Sequence, residues 1–297
     1  MPVRIGEARL VAQTKDVLGE VPLWDPHASS LTWVDLLKPA LHRYTPNTER
    51  VESWTPPEKL GSYALAREGG VLMAGRGGIA RWWPEPGGIT GAFERVSTPE
   101  ADRPDNLLND GRCDARGRFV VASMDKMLSA PKGRMWRVDP GGATVLLEDG
   151  IWLPNALCWS PDGRTMYFGD SHTKLLFAYD YDPETGTPSN RRLFADTSGT
   201  EGVPDGSSVD ADGYVWNARF DAGCLMRFAP DGRVDQVVAL PVSRPTHVTF
   251  GGPGLRTMYV TTARFRLKPE ELAAQPMAGG LLAIEADVAG LPEPLWG

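Results

Sequence analysis

The chain has 297 residues, with 31 basic and 38 acidic side chains and a net charge of −7. A mildly acidic chain without a block of Lys or Arg lacks the electrostatic surface that binds nucleic acid or anionic membranes. The 33 Gly and 26 Pro residues predict many turns and few long helices. In that setting, ten Trp and seven Tyr residues favour sheets over helix bundles.

The cysteines and the hydropathy pattern indicate the cellular setting. Cys113, Cys158 and Cys224 are widely spaced and form no CxxC pair, which disfavours a disulfide framework or a thiolate zinc site. We interpret them as small apolar side chains within strands. No apolar leader segment begins the chain, and no stretch approaches the roughly 18 apolar residues of a membrane span. We expect a soluble, cytoplasmic monomer that binds neither nucleic acid nor membrane.

Turn signals alternate with short strand-like runs along the chain. The turn signals are Asp25–His27, Arg67–Gly70, Asp114–Gly117, Ser160–Gly163, Asp210–Gly213 and Gly251–Gly254. Most precede β-branched or aromatic runs, namely Leu31–Val34, Val71–Met73, Phe119–Val121, Met166–Phe168, Tyr214–Trp216 and Met258–Thr261. Further strand-like runs, such as Gly133–Val138 and Cys224–Phe228, often follow these. The one helix candidate is Pro269–Ala274, which has Pro at its start and two Glu in its first turn.

A repeat becomes visible when the turn signals are aligned. Five residues before each turn stands a polar residue: Glu20, Ser62, Asn109, Asn155, Asp205 and Thr246. These positions are 41 to 50 residues apart. A period of that length built from short strands predicts an all-β, six-bladed β-propeller, as a single domain over residues 1–297. Strands at 8–12 and 281–284 are expected to close the ring.

The six repeat positions point to a metal site. In a propeller, equivalent positions lie on a ring around the central channel, and all six side chains here bear oxygen. Such residues are also common near turns, but Glu20 is not a turn former, and Gly19 and Pro22 bracket it as if its backbone were constrained. Facing carboxylates raise each other's pKa unless a cation neutralises them. Carboxylate and amide oxygens favour Ca²⁺, Mg²⁺ or Mn²⁺, and leave Fe²⁺ and Zn²⁺ open.

Several motifs together are similar to a known family. They are Leu18–Trp24, Asn109–Gly111, Pro154–Leu157, Ser160–Gly163, Pro204–Gly206 and Phe250–Gly252. On these motifs, over essentially its whole length, the chain resembles the senescence marker protein/gluconolactonase (regucalcin-like) family. The resemblance implies a single divalent metal ion held by Glu20, Asn155 and Asp205. It also implies hydrolysis of a lactone, a small-molecule substrate, with Asp205 as general base and Asn109 near the substrate.

Two positions depart from the family pattern. Sugar-lactonase members usually carry Arg two residues before the Asn of the Asn-Asp-Gly motif, where this chain has Leu107. They also usually carry a Glu shortly after the motif at Ser123-Met124, where this chain has residues such as Met127. Leu107 and Met127 therefore predict a less polar wall around the substrate. Arg103 or Lys126 could supply a compensating charge.

One histidine is a further candidate. His247 directly follows Thr246, so it either contacts the substrate or serves as a structural histidine. The segment Gly169–His172 has a superficial likeness to a serine-hydrolase motif, but it lacks the G-x-S-x-G elbow, which disfavours nucleophilic serine catalysis.

The preferred hypothesis is metal-dependent hydrolysis of a sugar-acid (aldono-type) lactone, with the metal as Lewis acid and Asp205 as base. Two alternatives stay open. One is a relaxed esterase or phosphotriesterase that uses the same ion, and the other is a non-catalytic propeller that binds metal.

Overall fold

The computed structural model describes residues 3–297, apart from the side chain of Ile89. These residues form 24 strands, one short α-helix and two 3-10 helices. The chain divides into two compact units, each with three four-stranded sheets. The first unit contains Gly199–Pro292 with the segment up to Ser53, and the second contains Trp54–Ser198 with Glu293–Gly297. The fold class is therefore the all-β, six-bladed β-propeller that the repeat predicts.

The three sheets of the first unit are antiparallel, and one of them joins the two ends of the chain. That sheet has the order β1-β24-β23-β22 and contains β1 (Arg9–Ala12), β22 (Pro245–Gly251), β23 (Thr257–Thr262) and β24 (Leu281–Glu285). The second sheet contains β2 (Gly19–Asp25), β3 (Ser30–Asp35), β4 (Ala40–Thr45) and β5 (Arg50–Trp54). The third contains β18 (Val203–Val209), β19 (Val215–Phe220), β20 (Cys224–Phe228) and β21 (Val234–Ala239).

The three sheets of the second unit follow the order of the sequence. The first contains β6 (Leu60–Leu65), β7 (Val71–Gly75), β8 (Gly78–Glu85) and β9 (Ile89–Ser97). The next contains β10 (Asn106–Cys113), β11 (Phe119–Asp125), β12 (Gly133–Val138) and β13 (Thr144–Ile151). The last contains β14 (Pro154–Trp159), β15 (Thr165–Asp170), β16 (Leu175–Asp182) and β17 (Thr187–Asp196).

Several predicted elements are confirmed at their predicted positions. The helix α1 spans Pro269–Ala274, and the Glu271 carboxylate accepts a hydrogen bond from the Lys268 backbone N–H that precedes it. Strand β1 pairs with β24 through Arg9 opposite Ala283, so the two predicted closing segments do meet in one sheet. The three cysteines are buried free thiols on strands β10, β14 and β20.

An aspartate organises the turn at the start of β19. The Gly213 N–H donates to the Asp210 carbonyl (2.9 Å), and Gly213 has a φ of 85°, which the predicted Asp-Gly turn requires. The Asp210 carboxylate accepts from the Tyr214 N–H (2.9 Å) and from the Trp216 indole N–H (2.9 Å). Because Trp216 is fully buried, this carboxylate connects the turn to the core of its sheet.

Asp210 also forms a buried ion pair in the first unit. The guanidinium of Arg227 donates to its Oδ2 through Nε (3.0 Å) and Nη2 (2.7 Å), and the two side chains are 1% and 0% exposed. The Tyr214 ring centroid lies 3.5 Å from the guanidinium carbon of Arg227. Removal of one partner would leave a buried charge without compensation, which is far more costly than loss of an exposed ion pair.

We expect Arg227→Ala to lower the free energy of unfolding by about 3–5 kcal/mol, because the Asp210 carboxylate would stay buried without its cation. Arg233→Ala is the matched control, since Arg233 is 79% exposed and pairs with the exposed Asp231. The control should change stability little. Chemical denaturation followed by tryptophan fluorescence measures both variants, and equal losses would contradict the role given to the buried pair.

Candidate metal and substrate site

In every sheet, the edge strand that carries the predicted repeat position has a break in register there. The breaks lie at Glu20/Leu23, Leu60/Ser62, Leu108/Gly111, Asn155/Cys158, Pro204/Ser207 and Pro245/His247. A β-bulge bends its strand and redirects a side chain away from the regular alternation. The bulges therefore give the six repeat positions an orientation that regular strands would not give them.

The backbone after two of these positions is strained. Val21 follows Glu20 with a φ of 51°, and Ala156 follows Asn155 with a φ of 61°. A β-branched residue such as Val rarely adopts this left-handed conformation, and such strain costs on the order of 1–3 kcal/mol and is concentrated at functional sites. The constraint expected around Glu20 from Gly19 and Pro22 is confirmed by this geometry.

The Glu20 carboxylate is buried in the first unit. Its side chain is 11% exposed, and its Oε2 accepts a hydrogen bond from the Val21 backbone N–H (3.2 Å). Burial raises the pKa of Glu20 to about 8, although the hydrogen bond from Val21 lowers it. The ionised form of this carboxyl group is therefore costly unless a positive charge lies beside it.

His247 links Glu20 to the segment around Asp205. Its Nδ1 lies 3.5 Å from Glu20 Oε2, and the imidazole ring is 4% exposed. The ring packs directly on Gly206, where a Cβ atom would lie only 2.0 Å from the His247 Cγ. His247 thus touches both Glu20 and the residue that follows Asp205. The first unit therefore brings these three predicted site residues into one neighbourhood.

Asp205 is held through its backbone. Its carbonyl oxygen accepts a hydrogen bond from the Asn217 amide (2.7 Å), which also donates to Ser207 Oγ (3.0 Å). Asp205 itself is 7% exposed and Asn217 is fully buried. Asn217 is not among the predicted site residues, although a polar residue between apolar neighbours in β19 is a visible signal in the sequence.

The second unit places the two predicted asparagines at the start of adjacent sheets. The Asn155 amide nitrogen donates to Ser171 Oγ (2.8 Å), which turns the amide oxygen away from Ser171. The Asn109 amide donates to the Pro154 carbonyl (2.9 Å), one residue before Asn155. Asn109 and Asn155 are therefore joined through the backbone of β14.

Leu107 and Met127 lie at the same end of their sheet. Leu107 is half-buried on β10 opposite Met124 on β11. Met127 is 75% exposed in the loop after β11, and its N–H donates to Asp125 (3.2 Å). The predicted apolar character of this region thus rests on Leu107 with Met124, while Met127 projects into solvent.

Arg103, one of the two candidates for a compensating charge, already forms an ion pair. The Arg103 guanidinium donates to both carboxylate oxygens of Asp149 (2.7 and 2.8 Å) and to the Lys132 carbonyl (2.7 Å). Lys126 is exposed in the loop that carries Met127. Of the two candidates, Lys126 is therefore the one whose side chain faces solvent.

The donor set fits a hard divalent cation. Among residues 3–297, no group of three or more His, Cys, Asp or Glu side chains is arranged to hold a metal. The predicted ligands Glu20, Asn155 and Asp205 are of a different kind, two carboxylates and one amide, which are the oxygen donors of Ca²⁺ and Mg²⁺ sites. A cation beside the buried Glu20 would also offset the cost of ionising it.

Within residues 3–297, no helix is both long and apolar enough to span a membrane.

We expect Gly206→Ala to lower the free energy of unfolding by about 1–3 kcal/mol, because the added methyl group would overlap the buried His247 ring. Gly199→Ala in the same unit is the control, since nothing lies within 4 Å of a Cβ at that position. Thermal denaturation of the two variants tests this. Equal midpoints would contradict the close packing of His247 on Gly206.

A family model, similar sequences and a similar solved structure each match most of the chain. The family model described as the SMP-30/Gluconolactonase/LRE-like region matches residues 18–264. The 6-deoxy-6-sulfogluconolactonase of Pseudomonas putida is 35% identical over 289 residues, which cover 97% of this chain and 98% of that protein. The L-arabinolactonase of Azospirillum brasilense is 35% identical over 292 residues, covering 96% and 94%. The crystal structure of a calcium-binding protein, regucalcin, from Agrobacterium tumefaciens superimposes with a TM-score of 0.92 and 30% identity, covering 98% of each chain.

Proposed function

Because the chain belongs to the SMP-30/gluconolactonase/LRE-like family, we propose that it hydrolyses a sugar-acid lactone with the help of one divalent metal ion. The family resemblance that the sequence motifs carry is confirmed. Two similar proteins are named 6-deoxy-6-sulfogluconolactonase and L-arabinolactonase, and these names support a sugar-acid lactone as the substrate. The observation that carries the proposal is the buried Glu20 carboxylate beside His247, next to the segment that contains Asp205.

Glu20, Asn155 and Asp205 are the proposed metal ligands. Glu20 and Asp205 supply negative charge, and Asn155 supplies a neutral oxygen that keeps the charge of the ion from being fully neutralised. A divalent ion bound there supplies Lewis-acid polarisation of a carbonyl oxygen. The similarity to a regucalcin described as calcium-binding supports a divalent ion, and Ca²⁺, Mg²⁺, Mn²⁺, Zn²⁺ and Fe²⁺ are the candidates.

Asp205 is the proposed general base. Its carboxylate would take a proton from the attacking water as the water oxygen bonds to the lactone carbonyl carbon. The bond between this carbon and the ring oxygen then breaks, and the ring oxygen gains a proton to become a hydroxyl group. The hydrogen bond from Asn217 to the Asp205 carbonyl keeps the backbone of the base in place. Asn109, near Asn155 through Pro154, is the proposed substrate contact.

We expect Asp205→Asn to lower kcat by about 10²–10⁴-fold, because a carboxamide cannot accept the proton. Asp231→Asn is the control, since Asp231 is 57% exposed and pairs with the exposed Arg233. A pH-indicator assay of lactone opening measures both, with circular dichroism as a check of the fold. Full activity of a folded Asp205→Asn variant would refute its role as base.

We expect the chelator-treated protein to lose turnover of sugar γ- and δ-lactones and to regain it with one or more divalent ions. The physical reason is that two buried carboxylates need a cation, and that carbonyl polarisation depends on it. Each candidate ion is added back in turn at fixed lactone concentration. Unchanged turnover after verified metal removal would contradict metal dependence.

A relaxed esterase or phosphotriesterase on the same ion is the second candidate. It is favoured by the pairing of Leu107 with Met124, since apolar side chains there offer a polyhydroxy substrate no hydrogen bonds. Turnover of carboxylic or phosphate esters without turnover of lactones would support it. Metal binding with no turnover of any of these substrates would support the non-catalytic alternative.

A further inference from the structure

An aromatic pair lies beside Asn155 in the second unit. The Trp152 and His172 rings are stacked, with centroids 4.2 Å apart and an angle of 11° between their planes. Trp152 is half-buried and His172 is exposed, so the stack is open to solvent. An exposed, ordered pair of flat rings near a proposed reaction site is a surface on which a flat or apolar group of a ligand can lie.

The pair is fixed to the same backbone as the proposed ligand. The Asp170 carboxylate accepts hydrogen bonds from the N–H groups of Trp152 (3.1 Å), Leu153 (3.3 Å) and His172 (3.1 Å). Ser171, which precedes His172 in sequence, accepts a hydrogen bond at its Oγ from the Asn155 amide (2.8 Å). Since these bonds use backbone N–H groups of the aromatic residues, the rings can be replaced without breaking the loop that holds Asn155.

Apolar side chains lie next to the pair in sequence and at the equivalent end of the neighbouring sheet. Half-buried Leu153 follows Trp152, and β14 is joined to β10 by the hydrogen bond from Asn109 to Pro154. Leu107 and Met124 face each other at the corresponding end of β10 and β11. The two rings together with Leu153, Leu107 and Met124 offer hydrophobic contact to a hydrocarbon group.

We propose that Trp152 and His172 form an aromatic platform that binds an alkyl or aryl substituent of the lactone substrate. This inference rests on the proposed function and narrows its substrate to sugar-acid lactones that carry an apolar substituent. Trp152 is three residues from Asn155, so their Cα atoms are at most roughly 10 Å apart. A substituent on the carbon that bears the ring oxygen can span that distance when the lactone carbonyl lies near Asn155.

The test measures binding rather than turnover. Two lactams, which are amide analogues of lactones that resist hydrolysis, are titrated by calorimetry into the metal-loaded protein. One carries a phenyl group on the ring carbon next to nitrogen, and the other carries hydroxyl groups only. The variants are Trp152→Ala, Trp152→Phe and His172→Ala. Phe93→Ala is the control, since Phe93 is 38% exposed on the outer strand β9 of the same unit.

We expect Trp152→Ala to weaken binding of the phenyl lactam by roughly fivefold to tenfold and to leave the polyhydroxy lactam unchanged. His172→Ala should have a smaller effect in the same direction, while Trp152→Phe should restore binding and Phe93→Ala should change nothing. Equal loss for both lactams would indicate a structural role and overturn the proposal. So would unchanged affinity of the phenyl lactam in Trp152→Ala, or its failure to bind the wild-type protein.

A parallel assay separates this proposal from the proposed function. The kcat and KM of the wild-type protein are measured for the lactones that match the two lactams. If neither lactone is hydrolysed, the proposed function fails, while the lactam affinities still decide whether the platform exists. If both are hydrolysed, Trp152→Ala should raise KM for the phenyl lactone without lowering kcat, and a loss in kcat alone would contradict a binding role.

Discussion

The burial of the Glu20 carboxylate is the interaction on which the proposed site depends. An ionised group in an apolar surrounding is costly unless a partner compensates it, and burial here raises the pKa of Glu20 to about 8. The surrounding structure nevertheless holds the residue there, with Val21 in a strained conformation and His247 packed between Glu20 and Gly206. Strain at Val21 next to the buried Glu20 carboxylate supports the hypothesis that this position serves function more than stability.

All six sheets share one structural feature at the repeat positions, a break in strand register. The edge strand that carries each repeat position has a register break there, and in three sheets a polar side chain on or just after the neighbouring strand contacts the repeat residue. Ser171 binds the Asn155 amide, Asn217 binds the Asp205 carbonyl, and the Thr261 hydroxyl lies 2.8 Å from that of Thr246. In these three sheets, the repeat residues are therefore held both by a bulge in their own strand and by a polar side chain of the neighbouring segment.

The proposed site residues differ in chemistry between the two units. In the first unit they are the carboxylates of Glu20 and Asp205, which are the proposed charged ligands and, for Asp205, the proposed base. In the second unit they are the amides of Asn109 and Asn155. Leu107 and the stacked rings of Trp152 and His172 also belong to the second unit. Where such side chains replace polar contacts to substrate hydroxyl groups, selectivity can change by orders of magnitude.

The sequence alone was sufficient to predict the fold class, the pairing of β1 with β24, the helix α1 and the repeat positions. Periodic turn chemistry is local, since Asp-Gly and Pro-Asp-Gly act within a few residues. The same period predicted Glu20, Asn155 and Asp205 as equivalent positions, while their role as ligands came from the family resemblance and stays a prediction, as does the single domain over 1–297. Tertiary structure decided what depends on distant contacts: the packing of His247 on Gly206, the engagement of Arg103 by Asp149, and the stacking of Trp152 on His172. No rule of sequence spacing predicts these three contacts. In each of them, bulges and turns bring the two residues together, and the alternation of side chains along a strand does not.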